Sequence, residues 1–242
     1  MKVTIVTVCY NSEKTIEKTI KSVLSQTYDN FEYIIVDGAS SDGTVELIKA
    51  LTVFDKRTRF ISEPDMGLYD AMNKATAMAK GDYILFMNSG DEFSDINVIK
   101  DMSGYLNSIN ELVYGNVIRI KPYGSILEKY HGKHKIMLLL LQGKMMCHQS
   151  VFTRTDLMRQ YGFDLQYTIT ADYDFIMRVK KDRRKIIYVD RNISVVDNVN
   201  GISSDKKNLD IMRAQDDRSL KTNFPVWYAA VIPIKKLVRA FR

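Results

Sequence analysis

Tyr83-Ile84-Leu85-Phe86-Met87-Asn88-Ser89-Gly90-Asp91-Glu92-Phe93 is the stretch on which the fold turns. Tyr83 to Met87 is a continuous apolar run, too short for a helix and closed by Ser89-Gly90, so it reads as a buried strand that ends in a turn. Asp91 is thereby carried to the carboxyl edge of a sheet. In open α/β sheets that edge is where ligands bind, so a carboxylate there suits a hard cation or the hydroxyls of a sugar. Capping of a helix beginning near Ile96 is the alternative, and this stretch alone leaves both open.

The flanking sequence supplies the sheet. Val3 to Val8 is a β-branched run, followed by Asn11 and Ser12 as caps for a helix whose apolar face is Ile16, Ile20, Val23 and Leu24. Phe31 to Val36 is a second strand, leading through Asp37 to Thr44 into a helix with Val45, Ile48 and Leu51. A short strand at Arg59 to Ser62 and a helix with Leu68, Met72, Ala75 and Ala79 precede Tyr83. Alternation of strands and helices with short connections implies right-handed crossovers and a parallel sheet covered on both faces. Asp37, Asp42 and Asp91 then share one rim.

Composition narrows the function. The 242 residues are 45% hydrophobic and 26% charged, an ordinary globular balance. No apolar run approaches the roughly 18 residues that a membrane span needs. Two cysteines, Cys9 and Cys147, and an opening directly on a strand pattern fit a reducing cytoplasm. The net charge is +6, of which Lys235, Lys236, Arg239 and Arg242 contribute four in a tail without acids. No basic stripe interleaved with aromatics exists, so nucleic acid is not an expected partner. A G-x-G-x-x-G is missing after the first strand, and Thr44-Val45 stand where a Walker motif requires Lys-Ser/Thr, which disfavours dinucleotide and P-loop chemistry.

Taken together, Val6-Thr7-Val8-Cys9-Tyr10-Asn11, Ile34-Ile35-Val36-Asp37-Gly38 with Ser40, Asp42, Gly43 and Thr44, and Gly81-Asp82-Tyr83-Ile84 through Asn88-Ser89-Gly90-Asp91 resemble the family 2 inverting glycosyltransferases. Glu63-Pro64-Asp65-Met66-Gly67-Leu68-Tyr69-Asp70-Ala71-Met72-Asn73-Lys74 is similar to the bacterial members that build capsular and exopolysaccharide units. The resemblance covers about residues 1 to 200, and several ordered motifs agree. It implies a GT-A fold, an α/β Rossmann-like sheet, mixed but mostly parallel, between helices. It also implies Thr7 and Tyr10 at the base pocket, Asp37 accepting from the base and Asp42 near the nucleoside. Asn11, Asp70, Asn73, Lys74, Asn88, Ser89 and Gly90 become further contacts for the nucleotide-sugar. Asp91 matches the metal-binding acid, for Mg²⁺ or Mn²⁺, although Asn88 and Gly90 replace acids often found beside it. One carboxylate with diphosphate oxygens and waters still suits magnesium, with weak affinity until the donor arrives.

In the second half, Ile96 to Leu106 has helical spacing, with Val98, Met102, Tyr105 and Leu106 on one side, and Leu112 to Ile120 alternates like a strand. His131 and His134 read as solvated loop histidines; Ile136 to Leu141 and Met145-Met146 read as core or acceptor-groove lining. His148 stands where similar enzymes carry a His-Gln pair, as a contact to diphosphate or metal or as a satisfied core histidine. Cys147 reads as a buried thiol. In Ala171-Asp172-Tyr173-Asp174-Phe175, Asp172 falls at a helix start, and the resemblance makes it the catalytic base, with Ala171 in place of a supporting acid. Asp174 and Arg178 have helix-pair spacing. Gln215-Asp216-Asp217-Arg218-Ser219 mimics the signature of processive synthases without its tryptophan, which favours single-sugar addition.

The chain is therefore expected to comprise a catalytic domain, 1–223, and a basic amphipathic tail, 224–242, broken at Pro233 and suited to an anionic membrane surface. The expected activity is transfer of one sugar from a nucleotide-diphosphate donor, a UDP-sugar in the first instance, to a hydroxyl of a glycan or lipid-linked glycan. The expected place is the cytoplasm, on the inner face of the cell membrane. A sugar nucleotidyltransferase and a non-catalytic nucleotide-sugar scaffold are the rivals.

Overall fold

A computed structural model describes residues 1–130, 145–197 and 205–240 of the chain; side-chain surroundings are not described for residues 206 and 234–240. The first half alternates as its sequence expects: β1 (Val3–Cys9), α1 (Ile16–Leu24), β2 (Phe31–Asp37), α2 (Thr44–Thr52), β3 (Thr58–Ser62), α3 (Leu68–Met78) and β4 (Tyr83–Phe86). After the turn at Asp91 come β5 (Glu92–Phe93), α4 (Val98–Ser103), β6 (Leu112–Lys121), β7 (Gly124–Glu128), a 3₁₀ turn at His148–Ser150, β8 (Val151–Arg154), α5 (Thr155–Tyr161), α6 (Ala171–Lys181), β9 (Ile186–Asp197), α7 (Leu209–Asn223) and α8 (Pro225–Ala240).

The strands form one sheet in the order β3-β2-β1-β4-β8-β6-β9-β5, with β7 paired to β6. The β3-β2-β1-β4 block is parallel, as the short crossovers require. Beyond β4 the sheet becomes mixed, because β8 runs antiparallel to both β4 and β6, while β6 and β9 are parallel. The register Cys9 to Asp37 and Val6 to Phe86 puts the carboxyl ends of β1, β2 and β4 on a common edge.

Every residue of β1, β2 and β4 is buried, so each strand feeds two cores alternately. Ile5, Tyr33, Ile35 and Leu85 pack under α1, α2 and α4 with Ile16, Ile20, Ile48 and Met102. Val6, Val8, Ile34 and Phe86 pack on the other face with Met72, Met158, Phe175 and Ile176 of α3, α5 and α6.

Several local expectations are corrected. Neither Asn11 nor Ser12 caps α1 with its side chain: the Ser12 carbonyl accepts the N–H groups of Thr15 and Ile16 at 2.9 Å, and Asn11 Oδ1 accepts the Ser41 N–H instead. Helix α4 is only six residues long, since Gly104 closes it, and Tyr105 is left exposed. Asp91 caps nothing, for α4 begins after Asn97. Pro233 stands inside α8 rather than ending it; a proline removes one backbone donor but leaves the bonds on either side available. No helix among the described residues is long and apolar enough to cross a membrane. His131, His134 and Ile136 to Leu141 lie outside the described residues.

Candidate functional site

A cleft of about 590 Å³ opens at the carboxyl edge where β4 meets the mixed half of the sheet. The 88–91 turn forms one wall, with Asn11 and Thr15 beside it, and Tyr69, His148 and Asp172 form another. This turn is tied down from α1: Thr19 Oγ1 accepts the Gly90 N–H at 2.9 Å, and the Ser89 and Thr15 hydroxyls lie 3.0 Å apart. Gly90 has φ +93°, a conformation that favours glycine and lets the chain reverse immediately before Asp91.

Asp91 is 5% exposed. Its Oδ2 accepts from Gln149 Nε2 at 2.7 Å and its Oδ1 from the Asp197 N–H at 3.2 Å, one donor for each oxygen. Burial pushes its pKa up to about 6, only partly opposed by the Gln149 hydrogen bond. The carboxylate thus stands short of compensating charge. Asn88 Oδ1, on the same turn, is buried without a hydrogen-bond partner.

Asp172 stands in the first turn of α6 and its side chain is 22% exposed. Oδ1 accepts the Tyr173 N–H at 2.9 Å, and the Tyr69 hydroxyl lies 3.1 Å from the same oxygen and 2.7 Å from the Ile169 carbonyl. Burial, then the Asp172 charge, hold the Tyr69 phenol well above its ordinary range, so it remains a proton donor. Oδ2 lies 3.1 Å from His148 Nδ1, while His148 Nε2 lies 2.9 Å from Asn88 Nδ2. The amide can only donate through Nδ2, so Nε2 accepts and Nδ1–H donates to the carboxylate. One imidazole therefore joins the 88–91 turn to Asp172.

The expected residues separate into two groups. Asn11, Asn88, Ser89, Gly90, Asp91, His148 and Asp172 converge on the cleft. Tyr10 is 65% exposed on the neighbouring rim. Thr7 does not reach it: wholly buried in β1, its hydroxyl is 2.8 Å from both the Tyr33 hydroxyl and the Met87 carbonyl. Asp37 shares the edge but faces Ser40 and Ser62, accepting from the Ser62 hydroxyl at 2.6 Å and the Ser40 N–H at 2.9 Å. Asp42 accepts from the N–H groups of Thr44 and Glu13, both at 3.1 Å, and so closes its own turn. Asp70 accepts the Met66 N–H at 3.0 Å, Asn73 bonds both backbone groups of Phe163, and Lys74 donates to the Pro64 carbonyl at 2.7 Å. Those three brace α3 against its neighbouring loops. His148 spends both ring nitrogens on protein partners in this structure, Nε2 on Asn88 and Nδ1 on Asp172.

Sequence reading missed Tyr69, Gln149 and Arg119. Gln149 adjoined His148 in a noted pair, and Tyr69 lay inside a quoted motif, but neither position revealed a direction. Arg119 comes from β6 to line the cleft and pairs with Glu128 at 2.7 Å. Met145 and Met146 line it too, Met146 as a buried core residue with Met145 packed against that core. Cys147 is held up to about 12 by burial, which keeps its thiol protonated and unsuited to nucleophilic attack.

Could these residues hold a divalent ion? Among the described residues no three His, Cys, Asp or Glu side chains gather into a metal-binding group. The Asp91 carboxylate and the orphaned Asn88 Oδ1 are nevertheless hard oxygens on one turn, compatible with Mg²⁺ or Mn²⁺ whose shell is completed by ligand oxygens and water. The donor set fits an ion that arrives with an anionic ligand.

Comparison with known proteins places the fold and the sequence. Similar solved structures include Staphylococcus aureus TarS 1-349 in complex with UDP-GlcNAc, with TM-score 0.71 at 16% identity over 93% of this chain and 68% of that one. The mannosyltransferase PcManGT of Pyrobaculum calidifontis, in complex with GDP-Man and Mn²⁺, gives TM-score 0.63, covering 93% of this chain and 63% of that one. Both share the GT-A fold with this chain. In sequence, a PGL/p-HBAD biosynthesis glycosyltransferase of Mycobacterium bovis is 29% identical over 163 residues, 66% of this chain and 62% of that protein. An uncharacterized glycosyltransferase of Mycobacterium tuberculosis is 32% identical over 183 residues, 73% of this chain and 68% of that protein. This chain thus spans a little under two thirds of the first of these relatives. The family model described as Glycosyl transferase family 2 matches residues 4–165, well over half of the sequence, and the chain belongs to that family.

Proposed function

We propose that the protein is an inverting glycosyltransferase that moves one sugar from a nucleotide-diphosphate donor, a UDP-sugar in the first instance, to a hydroxyl of a glycan or lipid-linked glycan in cell-surface polysaccharide assembly. The observation that carries this reading is the convergence of Asp91 and Asp172, from different parts of the chain, on one cleft. Tyr10, Asn11 and the bare backbone of Gly38 offer a rim for the base, with Asp65 packed over Gly38 where a Cβ would meet its carboxylate at 2.7 Å. Ser89 and Gly90 line the path from that rim to Asp91.

In the reaction the acceptor oxygen forms a bond to the anomeric carbon as the bond from that carbon to the diphosphate breaks on the opposite face. Asp172 takes the acceptor proton, the role for which positioned carboxylates supply about 10²- to 10⁴-fold. His148 and Tyr69 hold its two oxygens, fixing the carboxylate without carrying the proton away. Asp91 and Asn88 would hold the divalent ion; when bound, such an ion neutralises charge on the departing diphosphate as a Lewis acid. Arg119 adds a positive group to the same cleft.

Residues 1–223 constitute the catalytic domain in this reading, and 224–242 the membrane-facing tail. Val226 and Trp227 are exposed at the start of α8, and the tail's basic residues would meet anionic headgroups.

The test is incubation of the full chain with a panel of nucleotide sugars, divalent metal and candidate acceptors, reading product and anomeric configuration by NMR. Release of free nucleoside diphosphate with the transferred sugar inverted is expected. Donor binding without turnover across the panel would indicate a scaffold, and a retained configuration would remove the single-displacement mechanism.

A further inference from the structure

The segment Gln215 to Ser219 of α7, singled out by its likeness to a synthase signature, has another use in this molecule. Gln215 Oε1 accepts the N–H groups of Ile169 and Thr170, both at 3.1 Å, and Gln215 Nε2 donates to Thr168 Oγ1 at 2.9 Å. One turn later, Arg218 donates to the Gln166 side chain and lies over the Tyr167 ring, 5.4 Å from its centroid. Residues 166 to 170 are therefore held along their length by two side chains of one helix.

That loop is the lead-in to α6, whose N-cap Thr170 makes no side-chain capping bond of its own. Helix starts leave backbone donors unpaired, and those buried without a partner must be satisfied from elsewhere. Gln215 supplies the acceptor from a separate helix. The opposite side of the loop is fixed by Tyr69, whose hydroxyl reaches the Ile169 carbonyl and the Asp172 carboxylate. α7 is itself anchored to α6: buried Asp174 accepts from Ser219 Oγ at 2.7 Å and Asn223 Nδ2 at 3.3 Å, and from Arg178 at 2.7 Å. Loop, base and α7 are thus joined by one continuous set of hydrogen bonds.

We infer that Gln215 is a positioning residue, acting through the backbone of residues 168–170 to set where Asp172 meets the acceptor hydroxyl. The inference rests on the reading of Asp172 as the base. The alternative use of such a glutamine, direct contact with an acceptor sugar, would leave its amide facing the cleft; here the amide is occupied by the loop.

The experiment compares Gln215→Met, which keeps length and loses both hydrogen-bonding functions, with Gln215→Glu, which keeps the acceptor for the two N–H groups. Each is made alone and in the Asp172→Asn background, and steady-state kinetics are paired with donor affinity by calorimetry. Gln215→Met is expected to lower kcat by about 10- to 100-fold, the scale of a small displacement of a catalytic group, with donor affinity unchanged. Gln215→Glu should recover most of the loss. In the Asp172→Asn background Gln215→Met should cost nothing more, because residues acting as one unit are not additive. Unchanged kcat in Gln215→Met, or a full further loss on top of Asp172→Asn, would overturn the inference. If Gln215→Met does not fold at the assay temperature, Thr168→Val, which removes only the side-chain half of the clamp, is read instead: lower kcat with unchanged donor affinity supports the inference, and unchanged kcat overturns it. Full turnover in Asp172→Asn alone would instead bring down the base assignment itself.

Discussion

Two acidic turns lie on the same edge of the sheet, and they use their carboxylates differently. Between Asp37 and Thr44, the chain spends its acids on itself: Asp37 is enclosed by Ser40 and Ser62, and Asp42 holds Thr44 and Glu13. The Thr44 hydroxyl foremost keeps the Asp42 carboxyl below its ordinary range. At 88–91, Asp91 receives one donor per oxygen, is pushed up to about 6 by burial, and faces an open cleft. Edge position alone therefore does not give two carboxylates the same surroundings. What distinguishes Asp91 is a charge left undercompensated beside a volume that a ligand can fill.

The largest effect that would break this comparison is on turnover. Asp91→Ala should drop activity to background with any divalent ion, since Lewis-acid stabilisation is worth several kcal/mol and each 1.36 kcal/mol is tenfold in rate. Nucleotide-sugar turnover in metal titrations checks it; appreciable activity that still responds to metal would mean that Asp91 is not the ion's anchor.

The next effect is on stability, and its sign is set by the raised pKa of Asp91. Folding lifts Asp91 from the ordinary 3.8 to about 6, so its contribution is fully present below 3.8 and is lost as pH rises through 6. The shift corresponds to about 3 kcal/mol at 1.36 kcal/mol per unit. Asp91→Asn should consequently gain stability relative to wild type as pH rises from 4 to 7, measured by denaturant unfolding of the metal-free chain. Parallel curves would mean that the folded chain compensates the Asp91 charge fully.

The smallest effect sharpens the contrast from the other side. Asp42→Ala should lower the melting temperature, by freeing the N–H groups of Glu13 and Thr44, while donor affinity of the folded protein stays the same. A selective loss of donor affinity, with melting unchanged, would return Asp42 to the nucleoside pocket.

The parallel block was legible because β1, β2 and β4 are β-branched or apolar runs punctuated by turn residues, and both faces of each are buried. The common edge followed from that alternation. Motif membership, however, specifies spacing and not direction: Thr7 turns into the sheet, and Asn73 and Lys74 spend their polar groups on α3's neighbours. Tyr69, Gln149 and Gln215 were invisible as site residues because each acts through a long-range contact: to Asp172, Asp91 and the 168–170 loop respectively. The antiparallel insertion of β8 between β4 and β6 was equally hidden, since a four-residue strand carries little pattern of its own. The His148 bridge combines both limits: the residue was visible, but its two partners lie far away in sequence.

The most direct measurement of the account is single-turnover transfer by Asp172→Asn, with donor affinity determined on the same preparation. Loss of at least about 10²-fold in the transfer rate, with donor affinity unchanged, is the predicted result for removal of a carboxylate base. A transfer rate equal to wild type would contradict it.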